Sequence, residues 1–227
     1  MLSVLRFVGR HAWSISLSML SAISFAELAS EMAEGELDPF DRVVASWLTR
    51  RRGEWDGVML ALTRFGTFWS LATVSAIAAL VLAWRGRRWE AAYVVACAGG
   101  AAVWCWALKL LFQRVRPEES SLYLLSQPGS FSFPSGHAMG AAGVLGCLVV
   151  VVFALRRARA FRFVALGLAL PVVMGVAASR VYFGVHYPSD IVGGQLAAAA
   201  WIAAVTGWFY PRLLPAEAAV HPLKEVL

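Results

Sequence analysis

Long apolar segments, separated by short polar and charged ones, dominate the hydropathy pattern of the chain. They cover residues 11–30, 58–84, 89–112, 136–155, 161–179 and 190–210. Each is close to the ~20 mostly apolar residues that a helix needs to cross a membrane. The first is rich in serine, and its alternative interpretation is a cleaved signal peptide introduced by Arg6 and Arg10. The pattern predicts an all-α membrane protein with six transmembrane helices, forming a single domain over residues 1–227.

A shorter helical pattern lies between the first two apolar segments. Its apolar residues recur at steps of three and four: Phe40, Val43, Val44, Trp47 and Leu48. This spacing predicts an amphipathic helix with one apolar face. Trp47 and Trp55 suit the depth of the membrane–water interface. We therefore expect an interfacial amphipathic helix between the first two spans.

Composition and charge agree with a membrane protein. Hydrophobic residues make up 59% of the chain, and the mean hydropathy is +0.66. The net charge is +6, but the basic residues stand in short clusters between apolar segments, which argues against a nucleic-acid partner. Cys97, Cys105 and Cys147 all lie in apolar segments, so we expect buried thiols rather than disulfides.

The basic clusters predict the orientation in the membrane. They precede the first span, join the second to the third, and join the fourth to the fifth: Arg6 and Arg10; Arg85, Arg87 and Arg88; Arg156, Arg157, Arg159 and Arg162. Lys and Arg are enriched in cytoplasmic loops, so these clusters and both termini are predicted to face the cytoplasm. Segments 27–56, 113–135 and 180–189 are then on the outer side.

Unusual polar residues begin to collect at this outer side. The third span ends in KLLFQRVRP, where Lys109 and Arg116 are seven residues apart and share a face while the helix lasts. Pro117 marks the exit from the helix, because it disfavours helical backbone at the residue before it. The fourth span begins in FPSGH, where Pro134 and Ser135 are typical of a helix start. The free N–H groups of such a start bind anions.

The stretch SRVYFGVHYPSD at 179–190 joins the last two spans and adds a second polar group. A charge near lipid is costly, so these residues should face water or perform chemistry. The spans bring six side chains to one depth: Lys109, Arg116, His137, Arg180, His186 and Asp190. Three cations suit an anion with several oxygens, such as phosphate. Asp190 follows His186 by four residues, so it can hold one ring nitrogen and leave the other free to attack.

Each of these residues has an ordinary structural interpretation when it is taken alone. Lys109 suits a snorkelling anchor, and Asp190 suits a helix cap. Arg114 and its neighbour at 116 suit charges at the rim of the site that pair with Glu118 and Glu119. Separate structural roles do not explain why all these residues are predicted to lie on the same side of the membrane, so we favour a shared functional site.

The three motifs together resemble those of the type 2 phosphatidic acid phosphatase superfamily. These are integral-membrane lipid phosphatases related to vanadium haloperoxidases and bacterial acid phosphatases. The family pattern is Lys-x6-Arg-Pro, then Pro-Ser-Gly-His, then Ser-Arg-x5-His-x3-Asp, and all three are complete and in order over 109–190. The soluble haloperoxidases share the residues, but the apolar segments argue against that fold.

The resemblance implies a role for each matching residue. The phosphate-binding positions would be Lys109, Arg116, Ser135, Gly136 and Arg180. His186 would attack phosphorus and form a phosphohistidine, His137 would protonate the leaving oxygen, and Asp190 would orient His186. No metal or other cofactor is implied, because fixed cations can supply the charge stabilisation.

The resemblance also implies the function that we expect. It is a metal-independent lipid phosphatase of the bacterial inner membrane, with its active site on the outer, periplasmic side. The favoured substrate is undecaprenyl diphosphate, hydrolysed to undecaprenyl phosphate. The alternatives are phosphatidylglycerol phosphate or phosphatidic acid as substrate, transfer of the phosphate to a lipid acceptor, and, in a different class, an anion transporter. The expected partners are the lipid phosphate and membrane lipid, and the sequence leaves the oligomeric state open.

Overall fold

The structure, a computed structural model, describes residues 2–117, 130–155 and 158–213, with side chains from residue 11 onward. Its helices are α1 (Leu2–Glu34), α2 (Asp38–Thr49), α3 (Asp56–Phe65), α4 (Phe68–Trp84), α5 (Arg88–Phe112), α6 (Gly136–Leu155), α7 (Arg159–Tyr182) and α8 (Pro188–Leu213). Within these ranges all regular secondary structure is helical and there is no strand. The predicted all-α fold is confirmed.

The predicted spans correspond to these helices, with one difference. Helices α1, α5, α6, α7 and α8 are each long and apolar enough to cross a membrane. The predicted span 58–84 is instead two helices, α3 and α4, bent by 55°. The break has a local cause: Thr67 caps α4 by accepting a hydrogen bond from Ser70 N at 3.4 Å. Counted as one broken span, the pair completes the six that the sequence predicts.

Glycine at the break lets α7 approach closely. A Cβ atom at Gly66 would lie 2.4 Å from Val176 Cγ1, closer than carbon atoms can pack. It would also lie 3.1 Å from His137 Cδ2. The bend between α3 and α4 therefore sits directly against the start of α6.

Helix α1 is an integral part of the bundle, because it packs along α8. Ser18 Oγ donates a hydrogen bond to Ala200 O at 2.9 Å. Ser14 faces Gly207 so closely that a Cβ there would lie 2.6 Å from Ser14 Oγ. Small residues allow such an approach between membrane helices, and Ser14 and Ser18 of the serine-rich first span face its partner helix.

The core of the bundle lies between α5, α6 and α8. Tyr93, Val94, Cys97 and Cys147 form one buried cluster there. Residue 100 is glycine, and the ring of Trp201 occupies the space that a Cβ atom would take there. The three cysteines are buried and unpaired with one another, as the sequence predicts.

The predicted interfacial helix is α2, although its apolar face is divided. Leu48 is buried and Val44 packs with it against α6, α7 and α8. Phe40, Val43 and Trp47 are instead exposed, by 45%, 68% and 55%. Helix α2 therefore docks on the bundle with one stripe and presents a second apolar stripe outward, as suits a helix lying at a membrane surface.

The predicted basic clusters are described in part. Arg85, Arg87 and Arg88 lie between α4 and α5, and Arg159 and Arg162 lie at the start of α7. These positions are at the opposite end of the bundle from the motif residues. Arg156 and Arg157, the loop acids Glu118 and Glu119, and the side chains of Arg6 and Arg10 lie outside the part of the chain that the structure describes.

Candidate active site

Four helix ends meet at one end of the bundle and bring the three motifs together. They are the end of α5, the start of α6, the end of α7 and the start of α8. Hydrogen bonds join the segments between them: Ser135 N donates to Asp190 O at 3.0 Å, and Lys109 Nζ donates to Ser132 O at 3.2 Å. We call this end of the bundle the site end. All eight residues singled out in the sequence lie there.

His186 and Asp190 form the centre of this group. His186 Nδ1 lies 3.1 Å from Asp190 Oδ2, as their spacing of four residues predicts. Both side chains are buried, with 3% and 0% of their surfaces exposed. The hydroxyl of Ser132 donates to the same Asp190 oxygen and lies 3.3 Å from His186 Nδ1. The carboxylate thus fixes Nδ1 as the protonated nitrogen and turns Nε2 toward the site.

The environment of His186 keeps its imidazole neutral. Burial lowers the pKa of His186 to about 3, and the hydrogen bond with Asp190 opposes this shift without reversing it. Nε2 lies 3.3 Å from Arg116 Nη1. At neutral pH, Nε2 is therefore unprotonated, and its lone pair accepts the hydrogen bond from Arg116 Nη1. An unprotonated imidazole nitrogen next to a cation is the arrangement that a nucleophile for phosphate needs.

Three cations share this small space. The charges of Arg116 and Arg180 both act on Lys109, and the charge of Arg116 acts on Arg180. Arg180 is 2% exposed, and its Nη1 donates to the hydroxyl of Thr63. Like charges gathered in a partly buried site repel one another, so the group is suited to bind an anion with several oxygens.

His137 lies in the first turn of α6, beside the same group. The charges of Arg180, Arg116 and Lys109 all act on it, and so does His186. On its other side the ring contacts the break between α3 and α4 at Gly66. His137 therefore lies between the group of cations and the bend of α3 and α4.

Ser135 and Gly136 occupy the N-terminus of α6, as predicted. Ser135 is fully buried, and its carbonyl accepts the first helical hydrogen bond, from Met139 N at 2.9 Å. Gly136 is the first helical residue. The start of α6 therefore lies at the site end, where its free N–H groups would add to the attraction for an anion.

One expectation about the first motif is wrong in detail. Lys109 and Arg116 do not share a helix face, because α5 ends at Phe112. Gln113 adopts a left-handed conformation with φ 48° and terminates the helix before Pro117 can. Arg116 reaches the site from the non-helical segment 113–117, where its Nη1 donates to Val185 O at 2.8 Å.

The sequence interpretation missed a set of residues that hold the site together: Asp41, Thr63, Ser132 and Ser189. It also placed Arg114 at the rim. Arg114 instead forms ion pairs with Asp190 and Asp41, both at 2.8 Å. Ser132 could have been identified from the sequence, because it lies two residues before the PSGH motif. Nothing in the sequence pairs Asp41 with Arg114, which is 73 residues away.

The described side chains at the site end do not resemble a metal centre. Within 2–117, 130–155 and 158–213, no group of three or more His, Cys, Asp or Glu residues is placed to hold a metal ion. The groups that converge on the site are mainly cations, and cations are not metal ligands.

Comparison with known proteins agrees with this geometry. The family model of the PAP2 superfamily matches residues 88–213, more than half of the chain. Phosphatidylglycerophosphatase B of Bacillus subtilis (strain 168) is 27% identical over 175 residues, which are 75% of this chain and 83% of that protein. Decaprenylphosphoryl-5-phosphoribose phosphatase of Mycobacterium tuberculosis (strain ATCC 25618 / H37Rv) is 35% identical over 123 residues, 52% of this chain and 59% of that one.

A solved structure extends the similarity to the fold. The crystal structure of a transmembrane PAP2 type phosphatidylglycerolphosphate phosphatase from Bacillus subtilis matches with a TM-score of 0.77 and 25% sequence identity. The match covers 86% of this chain and 96% of that one. The family match includes the four helices that carry the three motifs, α5 to α8. The chain therefore belongs to the PAP2 superfamily and is a multi-pass membrane lipid phosphatase.

Proposed function

We propose that this protein removes phosphate from a membrane lipid through a phosphohistidine formed on His186. The observation that supports this most is the placement of the imidazole. Its Nδ1 is held by Asp190 at 3.1 Å, and its Nε2 lies 3.3 Å from Arg116, beside the two other cations. A buried neutral histidine with one nitrogen held by a carboxylate and one unprotonated nitrogen next to a cation is arranged for attack on phosphorus.

The proposed reaction has two steps. First, His186 Nε2 attacks phosphorus, the bond from phosphorus to the lipid oxygen breaks, and His137 gives its proton to that oxygen. Second, water attacks the phosphohistidine and gives a proton to His137, the P–N bond breaks, and inorganic phosphate leaves. Five groups would stabilise the charge of the transferring phosphoryl group in both steps: Lys109, Arg116, Ser135, Gly136 and Arg180. Asp190 would stabilise the positive charge that develops on His186.

No metal ion is needed in this scheme. In many phosphoryl-transfer enzymes, bound Mg²⁺ neutralises the charge on the phosphate oxygens. Here Lys109, Arg116 and Arg180 would do so, since they lie close enough for their charges to act on one another. The cations are fixed before substrate binds, so the stabilisation requires little reorganisation.

The substrate proposal has two candidates. If the site end faces the periplasm, an abundant bacterial lipid within reach is undecaprenyl diphosphate, which would yield undecaprenyl phosphate. The second candidate is a glycerolipid such as phosphatidylglycerol phosphate or phosphatidic acid. It is supported by the relative named phosphatidylglycerophosphatase B, which matches three quarters of the chain. Transfer of the phosphoryl group to a lipid acceptor would use the same first step.

A substrate panel tests the proposal. The purified full-length protein in detergent, with EDTA in excess, is expected to release phosphate from at least one of undecaprenyl diphosphate, phosphatidylglycerol phosphate and phosphatidic acid. Phosphate is measured colorimetrically, and the values of kcat/KM rank the lipids. A strong preference for a glycerolipid would remove the undecaprenyl assignment and keep the reaction class. Activity that disappears in EDTA and returns with Mg²⁺ or Zn²⁺ would contradict the role of the three cations.

We also propose that the protein lies in the bacterial inner membrane with its site end toward the periplasm. The basic residues at the opposite end support this orientation, because Lys and Arg favour the cytoplasmic side.

Cysteine labelling tests this orientation. A cysteine that replaces the exposed Glu54, between α2 and α3, should react with a membrane-impermeant maleimide in intact cells. The matched control is Arg85→Cys, at the other end, which should react only after lysis. The native cysteines are buried, so their background is low. The reverse labelling pattern would overturn the orientation.

A further inference from the structure

The carboxylate of Asp190 is held on both of its oxygens. Oδ2 contacts His186 Nδ1, accepts the Ser132 hydroxyl, and accepts a hydrogen bond from Tyr187 N at 2.9 Å. Oδ1 accepts a charge-assisted hydrogen bond from Arg114 Nη1 at 2.8 Å. The same nitrogen donates to Ser189 Oγ at 2.7 Å. Arg114 therefore fixes the oxygen of Asp190 that points away from His186.

Arg114 is held in turn by helix α2. Its Nη2 donates to Asp41 Oδ2 at 2.8 Å, and its guanidinium lies 4.0 Å from the centre of the Tyr187 ring. Asp41 is 3% exposed and accepts two further hydrogen bonds from Ser189, from N at 2.8 Å and from Oγ at 2.6 Å. The result is a continuous chain of buried contacts from α2 through Arg114 and Asp190 to His186.

The charges of this chain distinguish Arg114 from Arg116. Arg114 has a carboxylate on each terminal nitrogen, so its charge is already balanced and both nitrogens are occupied. Arg116 donates to neutral groups: Val185 O, the carbonyl and hydroxyl of Ser130, and the unprotonated Nε2 of His186. Its charge is therefore available for a phosphate. Two arginines that are two residues apart thus have different tasks.

We propose that Arg114 and Asp41 are positioning residues, which hold Asp190 and through it His186 in the orientation for attack. This rests on the proposed function of His186 as the nucleophile. The planar fork of Arg114 fixes a carboxylate rotamer in a way that a single ammonium does not. Helix α2 then has two roles: it presents Phe40, Val43 and Trp47 outward, and it secures the nucleophile.

Steady-state kinetics of Arg114 variants test the proposal. With full-length protein in detergent and, as substrate, the lipid phosphate that the substrate panel ranks first, Arg114→Ala should lower kcat by about 10- to 100-fold and change KM by less than about threefold. Arg114→Lys should recover part of the loss, and Asp41→Asn should show a smaller loss of the same kind. The matched control is Arg52→Ala. Arg52 is exposed at the same end and donates to Tyr182 O without touching Asp190, so near-normal kinetics are expected.

A double-mutant cycle separates positioning from direct contact with the phosphate. If Arg114 acts through Asp190, the variant with both Arg114→Ala and Asp190→Asn should be about as active as Asp190→Asn alone. Losses that multiply, or a raised KM with unchanged kcat, would overturn the proposal. Asp41→Asn keeps the shape of the side chain, so it provides the test if Arg114→Ala does not fold. A wild-type protein without phosphatase activity, or a fully active His186→Ala variant, would instead overturn the proposed function.

Discussion

Replacement of His186 by alanine is expected to abolish phosphate release from every lipid substrate. The proposed reaction passes through a covalent bond to Nε2, and among the described residues no other histidine at the site end has a ring nitrogen paired with a carboxylate. Loss of a nucleophile usually costs about 10³-fold or more, because the remaining groups can only bind and polarise the substrate. The measurement is kcat with purified protein, together with acid-labile ³²P incorporation after rapid quenching. Both signals should disappear.

A second histidine provides the control for this substitution. His11 is also buried, with 3% of its surface exposed, but it lies in α1 against Tyr210, near the end of α8 that is opposite the site. His11→Ala removes a buried imidazole of the same size and should retain turnover and phosphoenzyme formation. A His186→Ala protein that still hydrolyses lipid phosphate would show that the reaction does not pass through this residue.

The local part of the site could be predicted from the sequence, because short spacings fix geometry. A separation of four positions brings the side chains of His186 and Asp190 together when the second lies in the first turn of a helix. Ser135 and Gly136 precede an apolar segment, so they could only begin a span. Hydropathy likewise predicts the spans, since length and composition decide whether a helix can cross a membrane.

The remainder depends on contacts between segments that are distant in the chain. The break between α3 and α4 was missed because the apolar pattern continues through it. Its cause is the packing of Gly66 against α7, together with the cap that Thr67 provides. Asp41 looked like one of several acids on a surface helix, and only the docking of α2 buries it beside Arg114. A hydropathy pattern carries no information about such pairs.

The hydrogen bond between Thr63 and Arg180 is another contact between distant segments, and it leads to a prediction for a series of variants. Arg180 is almost fully buried, and the hydroxyl of Thr63 in α3 accepts a hydrogen bond from its Nη1. Thr63 is itself 1% exposed and lies three residues before the break. The bend therefore places a polar side chain of α3 against the most buried of the three cations. If Arg180 binds the phosphate as proposed, this contact would orient its guanidinium.

Arg180→Ala is expected to lower kcat/KM by about 10³-fold and Arg180→Lys by about 10²-fold, because the lysine restores the charge without the two-pronged hydrogen bonding of the guanidinium. Thr63→Val removes only the supporting hydroxyl and should cost about tenfold or less. The measurements are kcat/KM for a lipid phosphate and the inhibition constant for vanadate. Vanadate imitates five-coordinate phosphorus, so its inhibition should weaken in the same order.

The matched control for these variants is Arg64→Lys, an exposed residue next to Thr63, which should behave as wild type. Equal activity of the alanine and lysine variants would show that the charge of Arg180 does not act on the phosphate. A loss in Thr63→Val as large as that in Arg180→Ala would assign the effect to the fold of the bend instead.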